Sequence, residues 1–206
     1  MTISDNLETF NGKSVVDFSA AEGITELDEV VYRLRLDYED FDKGRSITGL
    51  IESFCQHPNA SQVKELIIGA YDFDSSVNSS IVVDSLVVNK DILSNLTALF
   101  IGDITYEEQE ISWIQQSNVE PLFTAFPKLE LFQIRGGEGL RLGKLSHNQL
   151  NKLIIETGGL PTAVIREIGN AQLPQLEHLE LWLGSENYGF DASIEEFAPI
   201  YAIRHI

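Results

Sequence analysis

Residues 176–181 read Leu-Glu-His-Leu-Glu-Leu, and this short phrase decides the fold that the sequence predicts. Its three leucines, Leu176, Leu179 and Leu181, occupy the first, fourth and sixth positions. Side chains alternate along extended backbone, so those at positions four and six point to the same face of a strand. The leucine at position one precedes the strand and can turn inward beneath it. The phrase therefore predicts a strand with one buried face.

The same spacing recurs along the chain, which makes the phrase a repeat. The five earlier copies are Val31-Leu34-Leu36, Val63-Leu66-Ile68, Leu96-Leu99-Ile101, Leu129-Phe132-Ile134 and Leu150-Leu153-Ile155. A single unit of this size cannot bury its apolar face alone, but stacked units can build one continuous core. Stacking pairs each strand with the next in parallel, and parallel pairing requires the chain to return across the other face of the sheet.

The segments between the copies are suited to that return. Between copies one and two, Ile47, Ile51 and Phe54 recur at helical spacing. Before copy six, a helical pattern begins at Pro161 and ends at Gly169. Proline is common at the start of helices, and glycine is common at their end. The segment before copy five is shorter and rich in glycine, which predicts a loop. The sequence thus predicts an α/β protein.

This layout resembles that of leucine-rich-repeat proteins over roughly residues 31–201. Three stretches are also similar to an uncharacterised bacterial cytosolic leucine-rich-repeat family: IGDITYEEQEISWIQQ at 101–116, ETGGLP at 156–161 and LEHLELWLG at 176–184. The resemblance implies a solenoid with one parallel sheet of about six strands and helices or loops on its convex side. It also implies an interaction scaffold and supplies no catalytic residues.

The two ends of the chain are expected to differ from the repeats. Residues 1–30 are predicted to form an N-terminal cap with a short strand in GKSVVDFS, and residues 31–206 the solenoid. Near the C-terminus, Ser193 and Glu196 have the spacing of a capping box, and Pro199 interrupts any long helix. We expect two short helical pieces, no closing strand and no full cap. Phe197, Ile200, Tyr201 and Ile203 could cover part of the core but cannot pair the sheet edge. The exposed edge would then favour a homodimer through residues of roughly 176–206, and the alternative is a monomer whose final segment folds back over the last strand.

Composition restricts the possible partners. The 206 residues include 14 Lys and Arg but 32 Asp and Glu, for a formal net charge of −18. Nucleic acids and anionic membranes bind surfaces with an excess of Lys and Arg, so both are excluded as expected partners. The remaining expectation is a protein partner, and a basic one would complement the charge of the chain. The single Cys55 excludes an internal disulfide, and the absence of a basic and apolar leader favours a cytoplasmic location.

Candidate binding residues come from the strand positions that face away from the leucines. Across the sheet these positions form an apolar centre flanked by charges, which is typical of a partner-binding patch. The candidates are Arg35, Ile67, Phe100, Arg135, Ile154, Glu156, Glu180 and Trp182. Alternatively, Ile67, Phe100 and Ile154 only stabilise the sheet through cross-strand contacts, and Trp182 only covers the open edge of the last strand. Acidic residues after the strands, Glu110 among them, predict an acidic rim that attracts a basic partner.

The expected function is therefore a non-catalytic protein–protein interaction scaffold that uses the concave face and the strand-end rim. No catalytic signature, cofactor motif or metal-ligand spacing occurs in the sequence. The alternative is a carbohydrate-acting enzyme or carbohydrate-binding module. Its carboxylates would be Glu156 and Glu180, which lie on neighbouring predicted strands, and a glycosidase needs two carboxylates about 5–10 Å apart in one pocket.

Overall fold

The computed structural model describes residues 3–74 and 76–201, which contain eight β-strands and six α-helices. The strands are β1 (Thr9–Phe10), β2 (Lys13–Asp17), β3 (Val30–Leu34), β4 (Glu65–Ile68), β5 (Ala98–Ile101), β6 (Leu131–Arg135), β7 (Lys152–Glu156) and β8 (His178–Leu181). The α-helices are α1 (Tyr38–Asp42), α2 (Ile47–Gln56), α3 (Ser80–Val88), α4 (Glu120–Ala125), α5 (Thr162–Gly169) and α6 (Ala198–Tyr201). Three 3₁₀ helices cover Ala60–Gln62, Glu186–Tyr188 and Ile194–Phe197.

All eight strands form a single curled sheet in the order β1 to β8. Every neighbouring pair is parallel except β1 and β2, which form an antiparallel hairpin. The predicted α/β architecture with a mostly parallel sheet is confirmed. The expected count of about six strands is wrong, because the cap strand β2 pairs directly with β3 and β1 adds a further strand.

Strands β4 to β8 align the repeated phrases position by position. Leu66 pairs with Leu99, Leu99 with Phe132, Phe132 with Leu153 and Leu153 with Leu179. The main core lies between this ladder and the helices, where Leu66, Leu99 and Phe132 are fully buried. A parallel sheet whose helices cover one face buries such a row continuously.

In the register of β3 with β4, the first phrase is shifted by two residues relative to the second. Leu34, its fourth position, pairs with Ile68, the sixth position of the next phrase. A shift of two residues keeps every side chain on the predicted face, whereas a shift of one would exchange the faces. Val31, expected to turn beneath the strand, instead lies on the concave face of the sheet in a separate apolar cluster.

The return segments are helical where the sequence predicts helices. In α2, the Ser46 hydroxyl accepts a hydrogen bond from the backbone N–H of Gly49 at 3.2 Å and caps the first turn. The helix buries Ile47, Ile51, Phe54 and Cys55 against the sheet. Burial raises the pKa of the Cys55 thiol to about 11, so this cysteine acts as a packing residue. Between β6 and β7 the chain forms no helix, as predicted.

The C-terminal segment covers the end of the core beside α5. The 3₁₀ helix Ile194–Phe197 continues into α6, which matches the two short helical pieces expected. The expected capping box does not form: Glu196 pairs with Arg166 of α5 at 2.7 Å, and the Ser193 side chain caps no backbone N–H. No further strand pairs with the outer edge of β8 within residues 3–74 and 76–201. Ile203 lies outside the described residues.

Candidate functional site

The concave face of the sheet is covered by the chain's own N-terminal segment. The ring of Phe10 stacks on that of Phe100 with 6.2 Å between centroids. Phe10 belongs to an apolar cluster on this face with Val31, Ile67, Ala98, Phe100 and Leu131, against which Leu7 also packs. Ile67 and Phe100 have no exposed surface, and Ile154 is 7% exposed. The exposed apolar centre expected from the sequence is therefore absent from this face.

Polar contacts hold the N-terminal segment in place. Asn6 donates a side-chain hydrogen bond to the backbone oxygen of Asp103 at 2.8 Å, and the Leu7 N–H donates to the Asp103 carboxylate at 3.2 Å. The backbone N–H of Tyr106 donates to the Ile3 oxygen at 2.8 Å. These bonds join residues about one hundred positions apart, so they form only when the sheet brings both segments together.

A row of ion pairs lies beneath that segment. Asp103 is fully buried and accepts from Arg33 at 2.8 Å, while Arg135 lies 3.6 Å from its other oxygen. Arg135 also pairs with Glu156 at 2.6 Å, and its guanidinium lies over the Phe100 ring at 5.2 Å. Arg135 and Glu156 are 3% and 5% exposed. Both were expected to contact a partner, but in this structure their charges are satisfied internally.

The outer end of this row is more accessible. Asp17 accepts from Arg33 at 2.7 Å and from Arg35 at 3.0 Å, and Arg35 also pairs with Glu108 at 3.2 Å. Burial raises the pKa of Asp17, but the hydrogen bond and charge of Arg33, helped by Arg35, outweigh it and hold that pKa below its ordinary value. Arg35 is therefore partly exposed, but its guanidinium already pairs with the carboxylates of Asp17 and Glu108.

The two carboxylates of the carbohydrate alternative have separate partners. Glu156 accepts from Gln133 at 2.7 Å as well as from Arg135. Glu180 accepts from the indole N–H of Trp182 at 2.8 Å and lies 3.4 Å from the His178 ring. The Trp182 hydrogen bond is the main cause of the lowered pKa of Glu180. Neither carboxylate lines the pocket described next.

A pocket of about 580 Å³ opens at the carboxyl ends of the strands. Loops that follow β5, β7 and β8 line it, and we call it the rim pocket. Its lining residues are Tyr106, Glu110, Ile111, Ser112, Thr157, Gly158, Trp182, Leu183, Gly184, Ser185 and Tyr188. All but Ser185 and Tyr188 belong to the three stretches that carry the family resemblance, which the fold brings together at one edge.

Close backbone packing shapes the rim pocket. Gly184 has φ +70°, and a Cβ atom there would lie only 1.8 Å from the carbonyl oxygen of Gly158. A Cβ on Gly159 would lie 2.1 Å from the Tyr188 oxygen, and Gly159 and Gly184 form an isolated antiparallel bridge. These glycines are needed because the loop after β8 packs directly on the loop after β7.

The lining combines aromatic rings with one carboxylate. Tyr106 and Tyr188 are about half exposed, and Trp182 is partly buried with its N–H bonded to Glu180. Glu110 is exposed and forms no ion pair with any described residue, and the lining includes no Lys, Arg or His. Residues 3–74 and 76–201 also include no group of three or more His, Cys, Asp or Glu placed to bind a metal. The pocket therefore offers aromatic contact, negative charge and the hydroxyl groups of Ser112, Thr157 and Ser185.

Sequence reasoning found only part of this pocket. It selected Trp182 as a concave-face residue and Glu110 as a rim carboxylate, but it did not select Tyr106 or Tyr188. A usable signal was present, since each lies a few residues after a predicted strand. The carboxyl ends of parallel strands meet at one edge, where ligands of open α/β sheets commonly bind.

These features define an α/β protein with a single, mostly parallel sheet and a pocket at its strand ends. No family model matches the chain, and no curated protein matches it. The chain is similar to a Bacteroides fragilis protein whose crystal structure was determined by a structural genomics consortium. The two are 34% identical with a TM-score of 0.77, and the match covers 82% of this chain and 47% of that protein. The chain thus spans about half the length of this bacterial protein, whose fold it shares.

Among the helices of residues 3–74 and 76–201, none has the length and apolar character needed to cross a membrane.

Proposed function

We propose that the chain is a leucine-rich-repeat solenoid that acts as a non-catalytic protein-interaction scaffold in the bacterial cytoplasm. The six repeated phrases support this, since each one supplies a strand of the sheet, β3 to β8. The partner binds at the strand-end rim, because the N-terminal segment covers the centre of the concave face. The rim pocket is the observation that carries this choice.

Side chains exposed around the rim pocket suit a protein partner. Tyr106, Trp113 and Tyr188 are 47%, 60% and 55% exposed, and aromatic residues of this kind are enriched at protein interfaces. Glu107, Glu110 and Glu186 are exposed in the same loops. A cluster of negatively charged side chains favours a positively charged partner and speeds its association. The proposed partner is therefore basic.

The enzymatic alternative receives less support. Glu156 is committed to Arg135 and Gln133, and Glu180 to Trp182 and His178. A glycosidase needs both carboxylates to face the same sugar. Aromatic rings also stack on sugars, however, so a saccharide is the alternative ligand for the rim pocket.

Alanine at both Tyr106 and Tyr188 is expected to weaken partner binding strongly with little change in stability, because both side chains are about half exposed. The assay captures proteins from the native bacterium with wild type and variant, followed by calorimetry with each purified candidate. The expected result is at least a tenfold weaker affinity for the double variant. The matched control is Val88→Ala on α3, an apolar residue that is 82% exposed and lies outside the rim and outside residues 176–206. Equal affinity of both variants for every purified candidate would refute the rim as the binding surface.

Self-association is the second part of the proposal. The outer edge of β8 has no partner strand within the described residues, and unpaired edges recruit other strands. We propose a two-fold homodimer through residues of roughly 176–206, of which 176–201 are described. Light scattering at micromolar concentration should give twice the chain mass of 23.0 kDa. A single species with the mass of one chain would contradict the dimer.

A further inference from the structure

The aromatic rings of the rim pocket do not stack on other described rings. Tyr106, Trp182 and Tyr188 line the same cavity, but none of them forms a stacked or edge-to-face pair with another described aromatic residue. The indole N–H of Trp182 is bonded to Glu180 at 2.8 Å, which holds that ring in position. A ring that lines a cavity without stacking on another ring can offer its negative π face to a ligand.

The charge of the lining has one sign. Among the described lining residues, Glu110 is the only carboxylate and none is a cation. The buried acids of the concave face differ, since Asp103 and Glu156 are neutralised by Arg33 and Arg135. Glu110 has no such partner among the described residues, and the nearby Glu107 and Glu186 are exposed. Aromatic faces and an unpaired carboxylate both attract cations.

From these observations we propose that the rim pocket binds the guanidinium of an arginine side chain presented by the partner protein. This inference rests on the proposed function and specifies the chemistry of its contact. The flat guanidinium stacks on the Trp182 and tyrosine faces, and its N–H groups donate to Glu110. The hydroxyl oxygens of Ser112 and Ser185 form no hydrogen bond with another described side chain and can accept further ones. Lysine provides the charge without the flat stacking surface and binds more weakly.

The test uses the peptide acetyl-Ala-Ala-Arg-Ala-Ala-amide as the probe. Its partner peptide contains citrulline in place of arginine, which keeps the shape and removes the charge. Binding is followed through the indole N–H signal of Trp182 in nuclear magnetic resonance titrations. The arginine peptide is expected to bind at least tenfold more tightly than the citrulline peptide, with lysine between them. Raised salt should weaken the arginine complex, because the contact is partly electrostatic.

Two variants locate the contact. Glu110→Gln is expected to weaken the arginine peptide about fivefold or more, and Tyr188→Ala by a similar factor. Both side chains are exposed, so neither change should unfold the chain. The matched control is Glu130→Gln, an exposed glutamate that precedes β6 at the amino ends of the strands, away from the rim pocket and from residues 176–206. Its affinity should equal that of wild type.

The outcomes separate this inference from the proposed function. Equal binding of the arginine and citrulline peptides, or an unchanged affinity in Glu110→Gln, overturns the guanidinium site. Binding of tri-N-acetylchitotriose at Trp182 without any binding of the arginine peptide overturns it in favour of a saccharide. If the arginine peptide does not bind but the Tyr106 and Tyr188 double variant still loses its partner protein, the guanidinium site is wrong and the scaffold proposal stands. If the peptide binds and the double variant keeps every partner, the scaffold proposal fails instead.

Discussion

Replacing Leu99 by aspartate is expected to abolish cooperative unfolding, because no folded state remains to unfold. Leu99 is fully buried on β5, where its neighbours in register are Leu66 and Phe132. Whether ionised or protonated, an aspartate here loses the packing of the leucine and buries polar atoms without partners, a combined loss comparable with the roughly 5–15 kcal/mol that stabilises a typical domain. Thermal melts followed by circular dichroism measure the effect.

Two further variants make this result interpretable. Leu99→Ala leaves a cavity without a charge, so it should melt cooperatively with a loss of about 2–5 kcal/mol. Val88→Asp places the same charge at a residue of α3 that is 82% exposed, and the stability should change by less than about 1 kcal/mol. A Leu99→Asp protein that melts cooperatively near the wild-type midpoint would show that the ladder is not the core.

Replacing Arg135 by methionine is expected to lower the free energy of unfolding by about 3–5 kcal/mol. The substitution keeps the apolar stem but removes the cation that pairs with Glu156 at 2.6 Å and lies 3.6 Å from Asp103. The buried carboxylate of Glu156 then loses its paired cation, and that of Asp103 keeps Arg33 but loses Arg135. The hydrogen bond from Arg135 to the Ile104 oxygen at 3.1 Å is lost as well. Urea denaturation measures the change.

The matched control is Arg141→Met. Arg141 forms an equally short ion pair with Glu167, 2.5 Å, but its side chain is 58% exposed. Water screens such a pair, so its loss should cost about 1 kcal/mol or less. The double variant Arg135→Met/Glu156→Gln should recover part of the lost free energy of unfolding, because it removes the buried negative charge that Arg135→Met leaves without its cation. Equal losses in Arg135→Met and Arg141→Met would contradict the importance of burial.

The sequence predicted which face of the sheet each candidate residue occupies, but not what covers that face. Ile67, Phe100 and Arg135 lie on the concave face, as the two-residue period of a strand requires. The burial of Ile67 and Phe100 depends on Phe10, which lies far from them along the chain. Period-based reasoning describes neighbours in sequence, so it cannot detect a contact between residues 10 and 100.

The repeated phrase by itself determined the strands of the repeats, their parallel order and their buried face, because all three follow from local alternation and stacking. Only the tertiary structure decided how the sheet curls. That curl brings Phe10 onto Phe100, aligns the ion pairs from Asp17 to Glu156 and joins three distant loops around the rim pocket. The physical reason is that curvature sums small twists over eight strands. No single segment encodes that sum, so the concave face and the pocket belong to the assembled sheet.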